Sequence, residues 1–222
     1  PFVAKSRGIP IAKIAAKIMV GDLLTEVLKN YKIKELEHFC VKESVFPFNK
    51  LDGVDLILGP EMKSTGEVMG IDKNFLSSFA KSQIAAGNLL PTKGNVFVSI
   101  DDTNKNKFIS IARKLQNLNF NLIATNGTAD YLNKNKISAT KINKVKEGNP
   151  HIVDSLIGGK IDLVINTTKS QSSIKDSYSI RRTSLMYNIP YYTTIAGAEV
   201  AIDAIEHMQN NDFKIKSLQT LN

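Results

Sequence analysis

From residue 94 onward, short apolar segments alternate with segments of helical periodicity, and this alternation constrains the fold more than any other feature. Residues 96–100 and 120–124 are apolar runs, and between them residues 104–118 place their apolar side chains on one helical face. These segments predict a strand, a helix and a second strand. Because strands joined through helices run parallel, the pattern predicts an α/β fold with a doubly wound parallel sheet.

The same alternation continues to the end of the chain. The remaining elements are expected as helices near 127–135, 151–158, 173–187 and 196–208, and strands near 138–142, 161–166 and 190–193. Helices on both faces of such a sheet make a three-layer domain.

Residues 1–86 lack the regular alternation of strands and helices. Apolar residues spaced by three and four predict a helix over 10–20, and a second helix is expected over 73–86. Residues 39–48 predict a strand, whereas the glycine-rich segment 59–70 predicts a loop or short edge segment. Gly87, Asn88 and Pro91 follow as a stop signal, so we expect one unit over 1–86 and another over 87–222.

The start of the chain, its single cysteine and its lack of long apolar runs bear on its length and cellular location. Pro1 is followed by apolar Phe2 and Val3, which suggests a chain that begins inside a strand of a longer protein. Cys40 is the single cysteine, which suits a reducing compartment, and we expect a cytoplasmic protein. No apolar run approaches the ~18 residues of a membrane span, so we expect no membrane partner.

The net charge of +8 points to an anionic partner. Most of the excess lies in residues 87–222, which hold 17 Lys and Arg against 11 Asp and Glu. The tyrosines are scattered without basic residues between them, and no RNA- or DNA-binding signature is present, so we expect no nucleic-acid partner. A phosphate-bearing small molecule remains, alongside the plainer interpretation of a solvated lysine-rich surface.

Ligands of doubly wound sheets bind beyond the carboxyl ends of the strands. Here these loops combine hydroxyl residues with glycine, asparagine and lysine, which suits a phosphate at a helix N-terminus. One such loop alone would more often serve as a helix cap, but three at one edge favour a ligand. The candidates are Lys105, Thr125, Gly127, Thr128, Lys144, Asn166, Thr167, Thr168 and Lys169.

The sequence offers little for catalysis. His38, His151 and His207 lie far apart, and neither a nucleophile elbow nor a Walker lysine occurs. Only His151 lies near the proposed pocket. We therefore expect no catalytic and no metal-binding residue in this chain.

Several segments resemble one family, the carbamoyl-phosphate synthetase large chain. VKESVFPFNK at 41–50 and LGPEMKSTGEVMG at 58–70 are similar to the end of its second ATP-grasp unit. ATNGTA at 124–129, NKVKEGNPHI at 143–152 and VINTT at 164–168 are similar to its C-terminal allosteric domain, which has a methylglyoxal-synthase-like, Rossmann-like fold. The resemblance thus implies a partial ATP-grasp α+β unit followed by that allosteric domain.

The resemblance also implies a function. The large chain works with a glutamine-amidotransferase small chain and, with ATP and Mg²⁺ or Mn²⁺, makes carbamoyl phosphate for pyrimidine and arginine biosynthesis. Its C-terminal domain binds UMP or IMP, and some members bind ornithine at the junction with the synthetase unit. The implied nucleotide-binding residues are Ser99, Lys105, Thr125, Thr128, Lys144, Asn166 and Thr168. The implied ornithine-type residues are Glu43, Tyr191 and Thr193.

Two alternatives stay open. The family's ATP- and metal-binding carboxylates lie upstream of residue 1, so this chain alone is expected to hold no cofactor. A free-standing lyase acting on dihydroxyacetone phosphate would need a general base where the related enzyme has Asp, and Asn149 cannot serve as one. A degenerate fragment is the other alternative, and it would expose Phe46 and Phe48.

Overall fold

The computed structural model describes residues 1–32, 35–45, 66–167, 177–214 and 217–218. Three short helices open the chain: α1 (Phe2–Arg7), α2 (Ile11–Met19) and α3 (Leu24–Leu28). The expected strand at the start is therefore wrong, and α1 instead ends at Gly8, whose φ of 65° suits glycine. The helix predicted over 10–20 is confirmed as α2, of which only Ile14 is buried.

An antiparallel hairpin follows, formed by β1 (Phe39–Val45) and β2 (Gly66–Asp72). Phe39 pairs with Asp72 and Val45 with Gly66. Of the two alternatives for 59–70, a loop or a short edge segment, residues 66–70 form the second, because both strands of a two-stranded sheet are edge strands. Residues 59–65 lie outside the described ranges. The strand predicted over 39–48 is confirmed through Val45; its remainder, with Phe46 and Phe48, also lies outside them.

Helix α4 (Phe75–Ala85) packs on this hairpin. Its first turn is capped by the Asn74 side chain, which accepts hydrogen bonds from the backbone N–H groups of Leu76 and Ser77. Helix α4 and strand β2 lie close together at Gly70, where a Cβ atom would overlap the carbonyl oxygen of Ser78. The glycine that suggests a loop in the sequence is required here for helix-to-strand contact.

The second part of the chain forms a five-stranded parallel sheet in the order β5-β4-β3-β6-β7. Every strand and helix predicted from the alternation has its counterpart in the described residues. The strands are β3 (Gly94–Ser99), β4 (Phe120–Thr125), β5 (Ala139–Ile142), β6 (Leu163–Asn166) and β7 (Tyr191–Tyr192). The helices are α5 (Lys105–Asn117), α6 (Asn126–Lys134), α7 (Ile152–Ile157), α8 (Tyr178–Met186) and α9 (Ile195–Asn210).

Apolar side chains cover both faces of this sheet, which confirms the doubly wound α/β class. On one face, Val96 and Val98 pack with residues of α5, α6 and α9. On the other, Phe97 and Val164 pack with residues of α7 and α8. Burial on both sides explains why the strands are continuous apolar runs in the sequence.

Helix α4 connects the hairpin to the sheet domain. It packs against α9 as well as against β1 and β2, and Ala80 lies in the same apolar cluster as the sheet. Ser77 Oγ lies 2.8 Å from His207 Nε2 of α9. The division into units over 1–86 and 87–222 stays a prediction, with α4 in contact with both parts. None of the helices in the described ranges has the length and hydrophobicity needed to cross a bilayer.

Candidate ligand-binding sites

Three residues of the implied nucleotide site lie side by side where neighbouring strands end. Ser99 ends β3 and pairs in register with Asn166 of β6, while Thr125 ends β4 on the other side of β3. Thr125 Oγ1 lies 3.4 Å from Ser99 Oγ. All three meet at the carboxyl edge, where ligands of such sheets bind.

Thr128 and Lys105 complete the group at the start of α6. Thr128 Oγ1 lies 3.3 Å from Thr125 Oγ1 and accepts a hydrogen bond from the Ile100 N–H at 3.1 Å. Lys105 Nζ lies 5.8 Å from the centre of the Tyr131 ring and close to Gly127, both residues of α6. We call Ser99, Lys105, Thr125, Thr128 and Asn166 the sheet-edge site.

The start of α6 has no side-chain cap, as is also the case for α1, α2, α3, α5 and α8. Asn74, His151 and Thr194 each cap a helix through a side-chain hydrogen bond. Thr125 occupies the capping position of α6, but its side chain makes no such bond. The hydroxyl therefore does not serve as a cap, and the first amide N–H groups of α6 remain positioned for an anion.

Two acidic residues that the sequence did not single out organise this edge. The carboxylate of Asp101 accepts hydrogen bonds from the hydroxyls of Thr103 at 2.5 Å and Thr167 at 2.8 Å, which ties the loop after β3 to the loop after β6. Asp102 forms an ion pair with Lys105, with 2.6 Å between the charged atoms. An Asp followed two residues later by Thr is a common turn signal and could have indicated the first role.

The other candidates are placed less centrally. Lys144 is exposed after β5, and its backbone N–H donates to the Glu147 carboxylate, which also accepts from Asn126 of α6 at 3.3 Å. Thr168 and Lys169 lie outside the described residues. His151 caps α7 through Nδ1, which gives it a structural role.

The residues of the implied ornithine-type site line a separate cavity of about 370 Å³. It lies between the hairpin, α4 and the far edge of the sheet at β7. We call it the junction cavity. Its lining includes Glu43, Gln83, Tyr191, Tyr192, Thr193 and Thr194.

Glu43 is a half-buried carboxylate that has no cationic partner among the described residues. It accepts a hydrogen bond of 2.9 Å from Gln83 Nε2, and within the described ranges it forms no ion pair. Burial raises the pKa of Glu43, and the Gln83 hydrogen bond opposes that shift. A buried charge that lacks a partner is costly, so a ligand cation would relieve the cost.

A hydrogen bond between described residues joins the two sites. Asn166 of the sheet-edge site donates from Nδ2 to the hydroxyl of Tyr191 in the junction cavity, at 2.6 Å. Asn166 is almost fully buried, so its amide has little access to water. The pair therefore gives the two sites a direct contact.

The sheet domain is similar to known proteins. Residues 107–193, which contain β4 to β7, match the family described as MGS-like domain. A solved structure, methylglyoxal synthase from Elizabethkingia anophelis NUHP1, matches with a TM-score of 0.40 and 17% identity. That match covers 51% of this chain and 79% of the other.

Over nearly its whole length, the chain is similar to the C-terminal region of carbamoyl phosphate synthase large chains, which confirms the resemblance. The large chain of Myxococcus xanthus (strain DK1622) is 49% identical over 219 residues, covering 99% of this chain and 20% of the relative. That of Rhizobium meliloti (strain 1021) is also 49% identical, over 224 residues, covering 99% and 19%. The chain thus spans about a fifth of the length of the relatives it matches.

Proposed function

We propose that this chain is the effector-binding C-terminal part of a carbamoyl phosphate synthase large chain. Residues 1–86 would be the end of an ATP-grasp unit, and residues 87–222 the allosteric domain. ATP, Mg²⁺ or Mn²⁺ and the glutamine-amidotransferase small chain would act with the rest of the large chain. Support comes from the similarity of nearly the whole chain to large chains of that name.

The sheet-edge site would bind the phosphate of a nucleotide such as UMP or IMP. The observation that carries this proposal is the uncapped start of α6, beside three hydroxyl groups and the ammonium of Lys105. Helix amides and hydroxyls donate hydrogen bonds to phosphate oxygens, and Lys105 balances their charge. Lys105 would exchange its exposed partner Asp102 for the phosphate.

The junction cavity would bind an amino acid of the ornithine type. Glu43 would take the ligand's ammonium group, with Tyr191 and Thr193 as hydrogen-bond partners. The 16-residue helix α9 begins at this cavity, and its positive dipole end would favour the ligand's carboxylate. The two ends of the cavity thus match one ammonium group and the carboxylate of such an amino acid.

Calorimetry with UMP, IMP and L-ornithine tests both assignments. We expect a nucleotide to bind with a heat signal that Lys105→Met weakens, and ornithine to bind with a signal that Glu43→Gln removes. Folded protein that binds none of the three at millimolar concentration would contradict the proposal. The lyase alternative predicts methylglyoxal formation from dihydroxyacetone phosphate by the pure protein; Asn149, which replaces its base, lies exposed before α7.

A further inference from the structure

Gln83 of α4 lies between the two parts of the molecule and contacts both. Its side-chain Nε2 donates to Glu43 Oε2 at 2.9 Å, and its Oε1 accepts from the Tyr192 hydroxyl at 3.3 Å. Only 4% of Gln83 is exposed. The hairpin, α4 and β7 are thereby joined by one neutral amide at the wall of the junction cavity.

The amide group of Gln83 fixes which partner donates and which accepts in these two hydrogen bonds. A glutamine donates only from its nitrogen and accepts only at its oxygen, so Tyr192 must donate and Glu43 must accept. Burial, together with the nearby charge of Glu43, raises the pKa of Tyr192, which keeps its hydroxyl protonated. Tyr192 therefore holds the Gln83 oxygen and leaves the nitrogen directed at Glu43.

This arrangement leaves one oxygen of Glu43 for a ligand. Gln83 occupies Oε2, while Oε1 has no hydrogen-bond partner among the described residues. Among the described residues, the other titratable groups that line the cavity are Tyr191 and Tyr192 on β7. Lys42, the neighbour of Glu43 in the chain, forms an ion pair with Glu67 of the hairpin. Lys42 is thus already paired across the hairpin.

We propose that Gln83 is the positioning residue of the junction cavity: it holds one oxygen of Glu43 so that the other meets the ammonium group of an amino-acid ligand. This inference rests on the proposed function of the cavity. Gln83 acts through Glu43 and need not touch the ligand. Its loss would leave Glu43 in place but free to rotate, and would also release Tyr192.

A purely structural role for Gln83 makes a different prediction. If the amide served only to satisfy the buried Tyr192 hydroxyl, its removal would lower stability without changing how ligand binding depends on pH. If it positions Glu43, its removal also removes the contact that lowers the pKa of Glu43. Because an ammonium ligand needs ionised Glu43, binding would then be lost at a higher pH on acidification.

The experiment is titration of L-ornithine into the full chain as a function of pH, for wild type, Gln83→Met and Gln83→Glu. Met keeps the length of the side chain without its hydrogen bonds. We expect Gln83→Met to weaken ornithine binding about tenfold and to move the acidic midpoint of binding upward, with UMP affinity unchanged. Gln209→Met, which removes bonds to the carbonyls of Thr92 and Leu118, is the matched control and should leave ornithine binding unchanged.

Gln83→Glu provides a second test of the proposal if the Met variant does not fold. A second carboxylate against Glu43 would share one proton with it, and a bound cation would displace that proton. Ornithine affinity of this variant should therefore rise with pH near neutrality, where that of the wild type is flat.

The possible results distinguish a failure of the role proposed for Gln83 from a failure of the function proposed for the junction cavity. Wild-type protein that binds no ornithine contradicts the proposed function of the cavity, and the inference falls with it. Wild-type binding together with unchanged affinity and pH midpoint in Gln83→Met, or a flat profile in Gln83→Glu, overturns the role of Gln83 alone.

Discussion

The sheet-edge site and the junction cavity differ in charge and in how the chain builds them. The sheet-edge site gathers hydroxyls, helix amides and Lys105 from loops that follow parallel strands. The junction cavity places the carboxylate of Glu43, which has no ion-pair partner among the described residues, between a hairpin, a helix and an edge strand. The first suits an anion and the second a cation, and topology alone could indicate only the first.

The two sites are also in direct contact. Asn166 and Tyr191 belong to different sites and share a hydrogen bond. A ligand that shifts one side chain must shift or strain the other, which is the physical basis for coupling between two sites. The predictions below separate the sites first and then test their contact.

The largest effect is expected from Glu43→Gln. Loss of the charge should weaken ornithine binding about 30-fold or more, since removing one partner of a buried charge pair costs ~2–5 kcal/mol. UMP binding should not change. The folded-state pKa of Glu43 is raised, so the stability linked to its protonation is present at low pH and lost as the pH rises through that pKa. The ligand-free variant should therefore melt at neutral pH no lower than wild type; a large drop in Tm would contradict this account of Glu43.

Lys105→Met should act on the other site. Nucleotide affinity measured by calorimetry should fall about tenfold or more, because a hydrogen bond to a charged group contributes ~1.5–3 kcal/mol. Ornithine affinity should stay the same. Lys107, exposed on the same helix, provides the control Lys107→Met. Equal losses in both variants would indicate general surface charge in place of a site.

Gly70→Ala should damage the junction and spare the sheet edge. The added Cβ would overlap the Ser78 carbonyl oxygen, so α4 must move away from β2, at a cost of ~1–3 kcal/mol. We expect a Tm lower by roughly 2–12 °C and weaker ornithine binding, since α4 carries Gln83. Among the described residues, the Cβ of Gly66→Ala on the same strand meets only the Val45 Cβ at 3.7 Å, so this variant should be tolerated. Similar melting of both variants would argue against the packing at Gly70.

The smallest effect is expected from Tyr191→Phe. The change removes the hydroxyl that Asn166 contacts and leaves a buried amide donor unsatisfied, at a net cost of ~0.5–1.5 kcal/mol. Affinity for nucleotide and for ornithine should each fall by a factor of about two to ten. Tyr187→Phe, at an exposed position after α8, is the control. A loss confined to ornithine would show that the contact does not connect the sites.

The alternation of strands and helices could be predicted because it depends on local periodicity. Strand β2 could not be distinguished from a loop because its glycines indicate turns, and the close packing of α4 explains Gly70. The role of Gln83 left no signal, because a neutral residue in a helix looks the same whether or not it contacts a carboxylate 40 residues away. Glu43, Tyr191 and Thr193 were indicated by family resemblance alone.

The sequence by itself determined the class of the fold and the resemblance to carbamoyl phosphate synthase large chains, and it indicated the carboxyl edge as a candidate ligand site. Each of these follows from short-range patterns of apolar and polar residues or from motifs. Only the tertiary structure decided which strands are neighbours, and so placed Ser99 between Thr125 and Asn166. It also placed Glu43 beside Gln83 and Tyr192, because such pairings depend on how distant elements pack, and local periodicity carries no record of that packing.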